Sequence, residues 1–114
     1  MAKYERRLVG NFYEVLSMCE TAIVKSSISA SFEAGSDFTV GDARVSVRVY
    51  ERYSYFGGNR VSLNITLAGE GNDLYLSAIT SGGSQAMFFK INTIGEENFL
   101  STLTKAVESR FPLR

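Results

Sequence analysis

Arg44, Arg48, Tyr50 and Arg52 are separated by even numbers of residues, so an extended chain carries all four on one side. Guanidinium groups interleaved with an aromatic ring can grip an anion or stack on a flat ligand or base. Hairpin partners in the following segments add Ser62, Asn64 and Thr66, then Tyr75 and Ser77. The residues singled out for ligand contact are Arg48, Tyr50, Arg52, Asn64 and Tyr75. Ser81, Ser84 and Gln85 of the SGGSQ segment join them at the rim of the same surface. Backbone N–H groups in such a Gly-Ser loop can bind anions. Phosphate loops, however, open directly into a helix and usually carry a nearby lysine. Here an apolar run, Ala86 to Ile91, follows instead, and Lys90 is distant, so a tight chain reversal is the plainer reading. For the face as a whole the plainer alternative is a solvated outer surface. A dimer interface, where Tyr and Arg are over-represented, is a third.

Nothing else in the chain assembles a reactive constellation. There is no histidine, which removes the commonest general base and transition-metal ligand. Cys19 falls in an apolar helical stripe and reads as a structural thiol. Glu96 and Glu97 sit where acids offset a helix dipole. The register would place the Glu51 carboxylate on the core side, where a raised pKa could make it catalytic, so a bulge that swings it to solvent or a position near the sheet rim is expected there. No carboxylate cluster has metal-ligand spacing. No cofactor is implied, and the balance leans away from an enzyme.

The elements that position these residues follow from periodicity. Residues 3–9 can form a short strand. Asn11, three residues before Glu14, reads as a helix N-cap with its capping-box acid. Phe12, Leu16, Cys19 and Ile23 then recur at helical spacing, and Ser26–Ser27 end the helix. Alternation resumes from Ile28 to Val40, with Gly41–Asp42 as a two-residue hairpin turn. Val45, Val47 and Val49, then Val61, Leu63, Ile65 and Leu67, then Leu74, Leu76 and Ala78 each recur at every second position. A three-residue loop at Gly57–Asn59 pairs Val49 with Leu67 and Tyr53 with Leu63, placing all three valines on the helix side. A turn through Gly69–Asn72 pairs Leu67 with Leu74. Ala86 to Ile91 is expected to be a short strand. Thr93 and Glu96 form a second capping box before Leu100, Leu103, Val107 and Phe111, and Pro112 stops that helix.

The fold class is therefore α+β: a two-layer domain, an antiparallel β-meander covered by two amphipathic helices, in the order β-α-β4/5-α. The topology is similar to the TATA-binding-protein-like half-repeat or a reduced helix-grip domain, a likeness that carries no function. The 114 residues form a single domain, 1–114. Twelve basic and twelve acidic residues cancel, which argues against nucleic acid as the default partner. A single cysteine precludes an internal disulfide, and no segment has the length and apolarity of a signal peptide or a membrane span. A cytoplasmic location is expected.

Two long blocks, SSISASFEAGSDFTVGDARVSVRVYERYSYFGGNRVSLNITL and SAITSGGSQAMFFKINTIGEENFL, resemble a family of small uncharacterised bacterial proteins, mostly from Firmicutes, classed as a domain of unknown function. The resemblance spans nearly the whole chain. It implies a bacterial cytoplasmic protein and no particular activity or site residue. The leading expectation is a binding or assembly module that homodimerises through its sheet face or an edge strand. The alternative is a carrier or unusual enzyme for a small anionic or aromatic ligand, with a pocket between sheet and helices into which Arg48, Tyr50 or Arg52 points. Single-stranded nucleic-acid binding through the tyrosine rows is a weaker third.

Overall fold

The computed structural model describes residues 2–26, 30–54, 59–82 and 89–111. In chain order the elements are β1 (Lys3–Val9), α1 (Phe12–Ser26), β2 (Ser31–Val40), β3 (Ala43–Ser54), β4 (Asn59–Glu70), β5 (Asp73–Gly82) and α2 (Phe89–Arg110). The five strands form one antiparallel sheet in the order β1-β5-β4-β3-β2, with both helices on one face, so the fold is α+β.

Local chemistry sets the boundaries. The Asn11 side chain accepts the Glu14 backbone N–H at 3.0 Å, which caps α1 as its position predicts. The Gly10 N–H donates to the Asn72 carbonyl at 3.0 Å, tying the start of α1 to the β4–β5 turn. Gly41 opens the β2–β3 turn with φ near +59°, a conformation that favours glycine, and Val40 pairs with Ala43 across it.

The core lies between the helices and the middle of the sheet. Phe12, Leu16, Cys19 and Ile23 of α1 and Phe99, Leu103 and Val107 of α2 are buried against Leu63, Ile65, Leu67, Leu76 and Ala78. Each fully buried side chain of this size contributes about 1.5–3 kcal/mol relative to leaving it in water. These are the apolar faces that the spacing selects.

Four expectations are corrected. The β3–β4 hairpin pairs Ser54 with Asn59, Tyr50 with Leu63 and Val49 with Asn64, three residues away from the predicted register. Because side chains alternate, an odd shift exchanges the two faces of β3. Arg44, Ser46, Arg48, Tyr50 and Arg52 therefore lie on the helix side, and Val45, Val47, Val49 and Glu51 on the open side. Second, β4 and β5 turn through Gly71–Asn72 alone, pairing Leu67 with Leu76; that shift is even and keeps the faces. Third, residues 89–91 belong to α2, not to a strand, and Thr93 lies inside the helix and cannot cap it. A short apolar run such as Met87 to Ile91 satisfies either period. Its residues 86–88 are outside the described residues. Fourth, the β2 register shifts between Phe32 and Ala34. This bulge at Glu33 puts Phe32 on the helix side, opposite Tyr50, while Ala34, Ser36 and Phe38 face the open side.

The reversed β3 face has a physical cause. Two helices, each about 10 Å across, cover about 20 Å. Five strands about 4.8 Å apart occupy about 24 Å once the width of the outer strands is counted. β3 therefore lies under the margin of the helical layer and β2 beyond it; every β2 residue after Ser31 is exposed. At that margin a long side chain with a charged tip fits better than valine.

Candidate functional site

The helix side of β3 carries three arginines, and each is held differently. The Arg44 guanidinium stacks over the Phe12 and Tyr13 rings, 4.9 and 5.4 Å from their centroids, and donates to the Gly71 carbonyl at 3.0 Å. Arg52 lies over the Phe99 ring at 4.9 Å, where burial depresses its pKa. Arg48 is the most engaged. Its Nε donates to Glu20 Oε2 of α1 at 3.1 Å and its Nη2 to Asp37 Oδ1 of β2 at 2.9 Å. Its Nη1 donates to the Val47 and Ser36 carbonyls at 2.9 and 3.4 Å. One side chain thus ties α1 to the β2–β3 hairpin.

Electrostatics follow from that bonding. Burial works against the Arg48 charge, but the bonds to Asp37 and Glu20 outweigh it and hold the pKa above its usual value. Ser46, a buried polar residue, donates to the same Asp37 Oδ1 at 2.6 Å. That bond first, and the one from Arg48 second, keep the Asp37 carboxyl below the usual carboxylate range. Burial, reinforced by Glu20, pushes the Tyr50 hydroxyl up to about 12, so it stays protonated.

These groups border a shallow cleft of about 400 Å³ between the second half of α1 and the β2–β3 hairpin. Its lining includes Glu20, Val24, Phe32, Asp37, Arg48 and Tyr50. Phe32 meets Tyr50 edge to face, with centroids 5.8 Å apart. The guanidinium expected to grip an anion is instead consumed by two carboxylates.

The open side of the sheet is assembled from different residues than expected. One row runs Phe38, Val45, Ala68, Tyr75, Arg7; the next Ser36, Val47, Thr66, Ser77, Glu5; the third Ala34, Val49, Asn64, Ile79, Lys3. Of the expected site residues, Asn64, Tyr75 and Ser81 are on this face. Arg48, Tyr50 and Arg52 are on the other, so the proposed constellation is divided between two surfaces. Ser84 and Gln85 lie outside the described residues. Asn64 accepts a bond from Thr66 at 3.1 Å, and Ser62 and Ser81 share one at 2.7 Å. Glu51, which the predicted register put on the core side unless a bulge carried it out, is on the open face in regular register with Ser62 and accepts from Arg60 Nη1 at 3.1 Å. The β3 side of this face is apolar: Val45, Val47 and Val49, with Ala68 and the exposed Phe38 and Val40 beside them, while Tyr75 and the exposed Ile79 lie across β4, where Asn64 and Thr66 are polar. Reasoning from sequence missed this patch, and it missed Glu20, Phe32 and Asp37 in the cleft. The signal for the patch was present, since the valines and the arginines of β3 alternate equally well.

The remaining candidates do not make a reactive centre. Burial, with a smaller effect from Glu20, pushes the Cys19 thiol up to about 12. Among the described residues no three His, Cys, Asp or Glu side chains converge on one point. No described helix is long and apolar enough to cross a membrane.

Neither a curated protein nor a solved structure matches the chain. Residues 1–110 match a family of unknown function, DUF6054, and this chain belongs to that family.

Proposed function

We propose that this chain is a homo-assembly module that pairs with a second copy of itself through the open face of its sheet, in the cytoplasm of a bacterium. The observation that carries the proposal is the distribution on that face. Val45, Val47 and Val49 form an apolar stripe along β3, flanked by Phe38 and Ala68, and Ile79 lies across the polar Asn64 of β4. Glu51, Ser62 and Ser81 border the face at one end and Lys3, Glu5 and Arg7 along β1. An apolar core inside a polar rim is the usual anatomy of a protein interface. Size is consistent with a second copy. Strands about 4.8 Å apart and about 30 Å long give the face roughly 600–700 Å². That approaches the roughly 800 Å² per partner of a standard interface. Two such sheets stack face to face about 10 Å apart. The cytoplasmic setting is supported by the single buried, unpaired thiol of Cys19.

Sedimentation velocity across the micromolar range tests the proposal. A concentration-dependent dimer is expected, and Val47→Asp should convert it to monomer by placing a charge in the middle of the apolar stripe on β3. Thr66→Lys, beside Val47 in the same row, provides a second substitution that removes no apolar packing. A wild-type protein that stays monomeric throughout would overturn the proposal, as would a dimer indifferent to both substitutions.

A further inference from the structure

The cleft between α1 and the β2–β3 hairpin is built in a way that folding alone does not require. Phe32 reaches it only because the bulge at Glu33 breaks the alternation of β2; in regular register the ring would join Ala34, Ser36 and Phe38 on the open face. No described helix covers it there, and Phe32 remains 57% exposed. Gly35, the next β2 residue on the helix side, leaves the space that Phe32 and Arg48 occupy. A Cβ at Gly35 would come within 3.2 Å of both Phe32 Cζ and Arg48 Nη1. The backbone is thus shaped to hold an aromatic ring over a polar pocket while leaving it uncovered.

The charges in that pocket define what it would accept. Arg48 directs N–H groups at two carboxylates and two carbonyls, so an incoming anion finds little of its donor capacity free. Glu20 Oε2 and Asp37 Oδ1 take its charged bonds, and the other oxygen of each carboxylate is not used in them. Two carboxylates and one guanidinium leave one formal negative charge. Ser46 and Arg48 keep Asp37 ionised over the whole neutral range. Val24 and Phe32 supply apolar wall, and both are more than half exposed.

We propose that this cleft binds a small organic cation, a primary ammonium group carried on an apolar body. The ammonium sits against Asp37 and Glu20, and the body lies along Phe32 and Val24. Ring faces attract such cations in addition to the carboxylate charge. At about 400 Å³ the cleft is at the small end of ligand sites, which suits a compact amine. This site is separate from the sheet face proposed for assembly, and it is contained within one chain.

Titration with phenethylammonium, followed by amide chemical shifts of the 15N-labelled chain, tests the proposal. Phenylacetate, of similar size and opposite charge, is the control. Saturable shifts centred on Gly35, Asp37 and Tyr50 are expected with the ammonium in the millimolar range and none with phenylacetate. Asp37→Asn should weaken binding about tenfold or more, as loss of a charged partner does. Because Asp37 also holds the hairpin, Phe32→Ala is the second variant: it breaks no ion pair and should also weaken binding. Repeating the titration on the monomeric Val47→Asp chain separates the site from the assembly face, and binding should persist there. No saturable shift with phenethylammonium, equal response to phenylacetate, binding that survives both cleft substitutions, or loss in Val47→Asp alone would each overturn the proposal.

Discussion

Gly69→Ala tests the strand register directly. Gly69 lies on the helix side of β4, between Arg44 of β3 and Leu74 of β5. A Cβ built there falls 2.4 Å from Leu74 Cδ2 and 3.1 Å from Phe12 Cδ2. Ordinary carbon contacts are about 3.5–4.0 Å, so the first overlap exceeds an ångström. Leu74 is 3% exposed and Phe12 2%, so neither side chain can swing into solvent. Overpacking of this kind costs about 1–3 kcal/mol. Replacing glycine in extended backbone returns about 0.4–1 kcal/mol by restricting the unfolded chain. A net loss of about 1–2 kcal/mol remains, a fall in Tm of roughly 5–10 °C for a domain of this size. Urea melts of the wild type, Gly69→Ala, Leu74→Ala and the double variant provide the measurement. Leu74→Ala alone should cost about 2–5 kcal/mol by leaving a cavity. In the double variant the new methyl group moves into that space, so the combined loss should be at least about 1 kcal/mol smaller than the sum. Strict additivity, or a Gly69→Ala chain as stable as the wild type, refutes the register. Under the pairing of Leu67 with Leu74, Gly69 would lie opposite Asn72 and the two side chains would not compete.

The same packing sets the response to acid and to alkylation. Asp37 has a folded-state pKa below its unfolded value of about 3.9. Its contribution is therefore present above that value and lost as pH falls through the lower folded value. Acid titration of stability should show a component in that window that disappears in Asp37→Asn; an unchanged profile would mean the Ser46 and Arg48 bonds do not form in solution. The Cys19 thiol, buried and raised to about 12, should resist alkylation by iodoacetamide at pH 8 and react only as fast as the chain opens. Immediate labelling of the folded chain would contradict the packing of α1.

The elements that proved legible are those in which one pattern allows one answer. Asn11 before Glu14 permits a single helix start, and Phe12, Leu16, Cys19 and Ile23 define a single buried stripe. Val61, Leu63, Ile65 and Leu67 alternate with polar residues, so β4 has only one possible inner face. β3 differs. Its odd-numbered valines and its even-numbered arginines and tyrosine both alternate, and either set can face a helix. The arginines win because β3 runs under the edge of the helical layer, where Glu20, Phe12 and Phe99 offer partners to a long cation. That margin depends on the width of two packed helices against five strands, a property of the assembled layers and not of any local segment. For the candidate site the consequence was large: exchanging the faces of β3 divided one surface into an apolar patch and an acidic cleft. The bulge at Glu33 left no mark in the alternation either, since Phe32 and Ala34 look equivalent along the chain.

Among the described strands the earliest, β1, pairs only with the latest, β5, and the end of α2 then fastens β1: Tyr4 donates to Glu108, and Arg6 to the carbonyl of Phe111 just past the helix. A growing polypeptide must therefore carry β1 unmatched through the synthesis of about seventy residues before its partner arrives, and about thirty more before the seal. Such distant closure slows folding and leaves a bare strand in the nascent chain. The charges on that strand, Lys3, Glu5, Arg6 and Arg7, are the kind that keep an unmatched edge from finding the wrong neighbour meanwhile.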